Sequence, residues 1–95
     1  MKGGTMKKLV EVQEVSGEGL DALMGEVVLL MCMNYFYTGK LTGVNDTCVL
    51  LENPSIVYNT GEWSAGSWSD AQRMHCDELY VQTSAIESFC KGHND

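Results

Sequence analysis

The stretch YTGKLTGVNDTCVLL, residues 37–51, constrains this chain more than any other. It alternates like a β-strand, yet it holds Gly39 and Gly43, which the two-residue period puts on one face. Glycine weakens a strand interior unless the backbone bends or another segment passes close. Two glycines on one face therefore predict a strand that bends and a sheet that curls around the bend. Asn45-Asp46 turns the chain, and Cys48–Leu51 resumes as an apolar strand.

The neighbouring segments supply strands to curl. EVVLLMCM, residues 26–33, is a nearly continuous apolar run whose length and β-branched start favour a strand. Asn34-Tyr35 is a plausible tight turn, and the second strand runs from Tyr35 to Val44. Cys48 to Leu51 and Ile56 to Tyr58 make the third, interrupted by Asn53-Pro54, where proline implies a bulge or an edge position. Leu79 to Thr83 is the fourth strand and Ala85 to Phe89 a short fifth. Ahead of them, Ser16 is an acceptable N-cap, Leu20, Leu23 and Met24 recur at helical spacing, and Gly25 is a natural stop. This predicts a helix of about two turns that must pack on something. The fold class expected is mostly β: a short N-terminal helix followed by five short antiparallel strands in a small bent barrel. Residues 1–15 are expected to be a flexible arm, residues 16–90 the domain, and residues 91–95 a polar tail. Residues 59–78 have no period and are rich in Gly, Ser, Asp and Asn, which predicts a long loop or a hairpin extension. Trp63 and Trp68 are expected to fold that loop onto the barrel, with exposure as a contact surface the alternative.

Ninety-five residues suit one domain with a thin core, which burial against other copies would supplement. The net charge of −7, with six Lys and Arg, opposes general nucleic-acid binding but leaves room for a local site. No run is apolar for long enough to span a bilayer, so no membrane partner is expected. MKGGTMKKLVEV has the lysines of a secretory signal without its apolar run, which makes a cytoplasmic location the default expectation. Cys32 and Cys48 sit in apolar runs, and no Cys-x-x-Cys pair is present. His75, Cys76, Cys90 and His93 match no known zinc spacing, so neither metal nor cofactor is expected. No Ser-His-Asp arrangement, paired carboxylate motif or phosphate loop motivates a reaction, so an enzyme is not expected.

The order of these elements carries a further reading. A helix, a strand, a bent strand reading Tyr37-x-Gly39-Lys40-Leu41-x-Gly43, an acidic turn and an apolar strand resemble the first motif of the Sm/LSm family, including its bacterial Hfq branch. Leu79-Tyr80-Val81-Gln82-Thr83-Ser84-Ala85-Ile86 stands where that family has its second motif, and residues 59–78 fall at its variable loop. The resemblance covers about residues 18–89. It implies an SH3-type barrel that closes into a homo-oligomeric ring by strand pairing between copies. Leu79, Tyr80, Val81, Ile86 and Phe89 would carry that contact. It also implies single-stranded RNA at the pore. The candidate positions here are Asn45, Asp46, Thr47, Gln82 and Thr83. They depart from the family. Neither register of the turn supplies both a stacking ring and a base-reading amide, Gln82 and Thr83 replace the Arg-Gly pair, and the Tyr-Lys-His signature is absent. Tyr35 and Phe36 would stack on a base at the rim, or pack within the sheet. Two functions follow as expectations: an Sm-like ring that handles RNA through a modified pore, or an acidic ring that scaffolds proteins through the 59–78 loop. A monomeric SH3-like adaptor is the third.

Overall fold

The computed structural model describes residues 19–93, so the expected arm at 1–15 and the end of the tail lie outside the described residues. The described chain is one antiparallel sheet with two short 3-10 turns. The first turn, η1, spans Gly19–Leu23. Three strands follow as a meander: β1, Val27–Cys32; β2, Phe36–Val44; and β3, Cys48–Asn59. Then come β4, Asp70–Arg73; β5, Glu78–Gln82; the second turn η2, Thr83–Ala85; and β6, Ile86–Lys91. The strand order is β4-β3-β2-β1-β6, with β5 also pairing with β3.

β3 explains how two strands share one neighbour. Its first half, Cys48 to Glu52, pairs with β5, and its second half, Ser55 to Asn59, pairs with β4. Between the halves stand Asn53, with φ of +53°, and Pro54, fully buried. Proline has no N–H for the ladder, and the register of β2 against β3 shifts there, between Thr38/Ser55 and Lys40/Glu52. Gly39 lies opposite that step. A Cβ on Gly39 would come within 3.1 Å of the Glu52 carbonyl oxygen and 3.3 Å of Pro54 Cα. The second shift lies between Leu41 and Gly43, where a Cβ on Gly43 would meet Leu50 Cβ at 3.3 Å. Both glycines thus sit at bulges, where the strand bends and its twist increases. The bulge expected at Asn53-Pro54 is present.

Alternate residues of the inner strands make the core: Val28, Leu30, Cys32, Leu41, Val49, Leu51 and Val81. Each fully buried Leu or Val contributes about 1.5–3 kcal/mol over leaving it in water. β1 is buried on both faces, because Leu29, on the face opposite Val28 and Leu30, is also at 0% exposure. That is why its sequence is an unbroken apolar run and not an alternating one.

Two expectations need correction. The helix read over residues 16–24 is, in its described part, the five-residue turn η1. Gly19 (φ +68°) and Gly25 (φ +86°) both adopt the left-handed conformation and bracket it, leaving no length for two α-helical turns. Leu20 and Leu23 still pack against the core, as their spacing requires. The loop at 59–78 contains a further strand, β4, so six strands stand among the described residues. Asp70–Arg73 is exposed at every position. It is held by backbone pairing and by the Arg73 side chain, and leaves no hydrophobic period to read.

The β3–β4 hairpin tip also reaches across the sheet. Trp68 packs against His93, just past β6, with ring centroids 4.1 Å apart and planes tilted by 56°. β4 and β6 are the two ends of the strand order, so this contact ties opposite edges together. Trp68 is half-buried, in line with the loop folding back, while Trp63 stays 58% exposed.

Candidate functional site

The β2–β3 turn is built by Asn45. Its side-chain Oδ1 accepts from the Thr47 N–H at 2.8 Å, the Thr47 hydroxyl at 3.1 Å and the Cys48 N–H at 2.9 Å. The Asn45 N–H closes the turn on the Cys48 carbonyl at 3.0 Å. Asparagine makes this kind of local side-chain turn readily. Its acceptor is therefore committed to the backbone, and only its amide donors are left to meet a ligand.

The other half of the site comes from the β5–β6 connection. Cys48 pairs across the sheet with Gln82. The Thr83 N–H donates to the Thr47 carbonyl at 2.9 Å, and the Thr83 hydroxyl donates to the Asp46 carbonyl at 3.0 Å. These bonds lock η2 to the β2–β3 turn. Asn45, Asp46, Thr47, Gln82 and Thr83, widely separated in sequence, are thereby brought to one end of the sheet. Asp46, Thr47, Gln82, Thr83 and Ser84 line an open concavity of about 660 Å³ there, with Tyr80 at its wall. Asp46 and Gln82 are exposed, whereas Thr83 is half-buried and spent on holding the two loops.

A second concavity, about 480 Å³, lies along β5, η2 and the start of β6. Met33, Tyr35, Tyr37, Leu79, Tyr80 and Ile86 give it an apolar wall. Tyr80 lines both concavities and is 66% exposed. Tyr35 is 48% exposed and packs edge-on against Tyr58, with centroids 6.4 Å apart, while Phe36 is half-buried. Beneath, burial pushes the Cys32 thiol up from its ordinary range. Burial first, then the nearby Cys32, Tyr35 and Tyr58 groups, push the Tyr37 hydroxyl up as well. Both stay neutral at physiological pH. Tyr80's place between two concavities was missed by the sequence reading, which assigned it to a strand edge. An exposed aromatic at an outward position of β5 was the available signal.

Electrostatics around both hollows is acidic. Lys40, Arg73 and Lys91 are the cations among the described residues, and none lines either concavity. Arg73 donates to Asn53 Oδ1 at 3.0 Å and lies 3.7 Å from Asp77, while Lys91 lies 3.8 Å from Glu26. Among the described residues no three His, Cys, Asp or Glu side chains are grouped to hold a metal. His93 faces Trp68, and Cys90 pairs with Leu29 in the sheet.

The residues read as subunit contacts divide. Val81 is buried in the core, and Leu79 and Ile86 pack partly against it. Tyr80 and Phe89, at 66% and 38% exposure, face outward. Fold and site together define a small antiparallel β-protein with a polar loop cluster beside an aromatic groove. No protein-family model matches the chain, and no curated protein matches it.

Proposed function

We propose that this chain is the protomer of an Sm-like homo-oligomeric ring that handles single-stranded RNA through a rebuilt polar lip, with no catalytic role. The observation that carries this reading is the convergence of the β2–β3 turn and η2 through the two Thr83 hydrogen bonds, to Thr47 and Asp46. It gathers all five positions that the Sm resemblance marks for ligand contact. The strand arrangement supports the barrel and the ring. Two bulges bend β2 and β3, and Trp68 on His93 draws the ends of the sheet together. β5 and β6, joined by η2, each pair along one side only among the described residues. An unpaired strand edge is a template for another strand. Pairing β5 of one copy with β6 of the next is a heterologous contact, and repeated rotation closes it.

The chemistry of the lip is hydrogen bonding and stacking without charge neutralisation. Gln82 and the amide donors of Asn45 offer edges to a base, and Tyr80 and Tyr35 offer faces. A fluorescence titration with short uridine-rich and adenine-rich RNAs at two salt concentrations tests the proposal. Saturable binding that salt does not weaken is expected, since no Lys or Arg lines the lip, and Gln82→Ala is expected to weaken it. Absence of saturation at high protein concentration overturns it.

A second reading has its own observation. Asp46 lines the polar concavity and no Lys or Arg does, and the whole chain carries −7. Phosphate binding depends on positive charge, so this favours a ring kept as a protein scaffold, its contacts made through the 59–78 loop. Solution mass bears on both readings: a monomer at micromolar concentration removes the ring from each.

A further inference from the structure

We infer that the tip of the β3–β4 hairpin is a docking site for a Lys- or Arg-bearing segment of a partner protein, with Trp63 as its anchor. The inference rests on the scaffold reading and deepens it by naming the partner's chemistry.

The tip is built, not loose. Asn59 pairs with Asp70 at the base of the hairpin. Above them Gly61, at φ +71°, passes so close to Ser69 that a Cβ on Gly61 would lie 2.9 Å from Ser69 Cβ. The Gly61 N–H donates to Asn59 Oδ1 at 2.9 Å, and the Ala65 N–H donates to the Glu62 carbonyl at 3.0 Å. Trp68 is anchored on His93. Trp63 meets Trp68 edge-on, with centroids 5.9 Å apart and planes at 87°. Trp63 is thus oriented from below, yet 58% of it faces solvent. An exposed tryptophan held in place loses little freedom on binding, which is the character of an interface hot spot.

Charge selects the occupant. Glu62 adjoins Trp63, and Asp70 stands at the hairpin base. From Asn59 to Asp70 the charged residues are Glu62 and Asp70, and no Lys or Arg occurs there. An aromatic face attracts ammonium and guanidinium groups, and neighbouring carboxylates reinforce that attraction. The same carboxylates repel phosphate, so the tip is a poor place for RNA. Trp63 lines neither concavity flanking η2, so a side chain laid across an open ring suits the site better than an enclosed small cation.

The test uses a labelled ten-residue peptide of alternating Gly and Arg, with a Gly-Glu peptide as control, at physiological salt. Anisotropy is expected to show saturable binding of the Arg peptide to the full chain, at least tenfold weaker binding to Trp63→Ala and to Glu62→Gln with Asp70→Asn, and none with the Glu peptide. Trp68→Phe leaves Trp63 as the sole tryptophan, and its emission is expected to shift as the Arg peptide saturates. Should that variant lose its β-sheet dichroism, the anisotropy comparison decides alone. Equal affinity for the full chain and Trp63→Ala overturns the proposal and puts the peptide elsewhere on the acidic surface. A shift of Trp63 emission when Lys2, Lys7 and Lys8 are replaced by Gln, with no peptide present, also overturns it by making the chain's own basic segment the occupant. These readouts are on Trp63. Their failure is therefore distinct from failure of the scaffold reading, which the RNA titration decides.

Discussion

At Gly39 the smallest change has a definite structural cost. An added Cβ meets the Glu52 carbonyl oxygen at 3.1 Å, Leu51 Cβ at 3.2 Å and Pro54 Cα at 3.3 Å, and two of these are backbone atoms with little room to yield. Gly39→Val is therefore expected to lower stability by about 1–3 kcal/mol, as overpacking does. An unchanged midpoint in urea unfolding would break the link between this glycine and the bend. Asn53 presents the complementary case. Its φ of +53° suits Asn or Gly, and its side chain accepts from Arg73. Asn53→Ala is expected to cost about 1–2 kcal/mol, and Asn53→Gly less, in the same unfolding measurement. The two groups with raised ionisation add a pH effect. Cys32 and Tyr37 hold their protons in the folded state above their ordinary values of 9.0 and 10.0. The unfolded chain therefore releases those protons first as pH rises. Their contribution is fully present at neutral pH and is lost through the alkaline range. Denaturation midpoints are expected to fall above about pH 9, and less steeply in Cys32→Ala after allowing for that variant's lower baseline.

Among the elements, β5 carries the most consequence. It pairs with β3 in a register that puts Glu78 opposite Glu52. Like charges directly opposite destabilise a strand pair, and an opposite pair contributes about 0.2–1 kcal/mol. Glu78→Lys is expected to stabilise the chain by that order, with the gain shrinking at high salt. A gain that persists in high salt would point to some cause other than charge. β5 also presents Tyr80 outward, while Val81 turns into the core. The choice of residues to charge at the proposed subunit contact follows from this. Ile86 packs partly on the core, so Ile86→Asp would damage the protomer itself. Tyr80→Asp with Phe89→Asp charges both outer edges and leaves the core alone. That pair is expected to reduce the solution mass to a monomer with unchanged β-sheet dichroism. An intact assembly would place the contact elsewhere.

At the scale of the whole molecule, one aromatic contact links the two ends of the sheet. The Trp68–His93 contact lies between the hairpin beside one edge strand and the end of the other. Trp68→Ala removes it, and cooperativity is expected to suffer as well as stability, with β4 and the end of β6 exchanging amide hydrogens faster than β1 and β2. Uniform exchange across all strands in that variant would mean the contact does not couple the two ends of the sheet.

Much of this was legible in the chain itself, for identifiable reasons. A continuous apolar run marks β1 because both of its faces are buried. Gly39, Gly43 and Asn53-Pro54 mark bends because their backbone chemistry admits little else there. Asn45-Asp46 marks a turn because asparagine can bond its own backbone. Those are local constraints, written in residue type and period. β4 left no such mark, since four exposed residues held by backbone pairing have no side-chain pattern to display. The helix expected at residues 16–24 failed in its described part because Gly25 and Gly19 both took the left-handed conformation, and spacing alone does not reveal the second. The five candidate site residues could be named from the chain, but their convergence could not. It depends on Thr83 bonding to Asp46 and Thr47, thirty-seven residues distant in the longer case. Only the tertiary structure decides such a contact, because closing a loop of that length is settled by the packing of every strand between its ends.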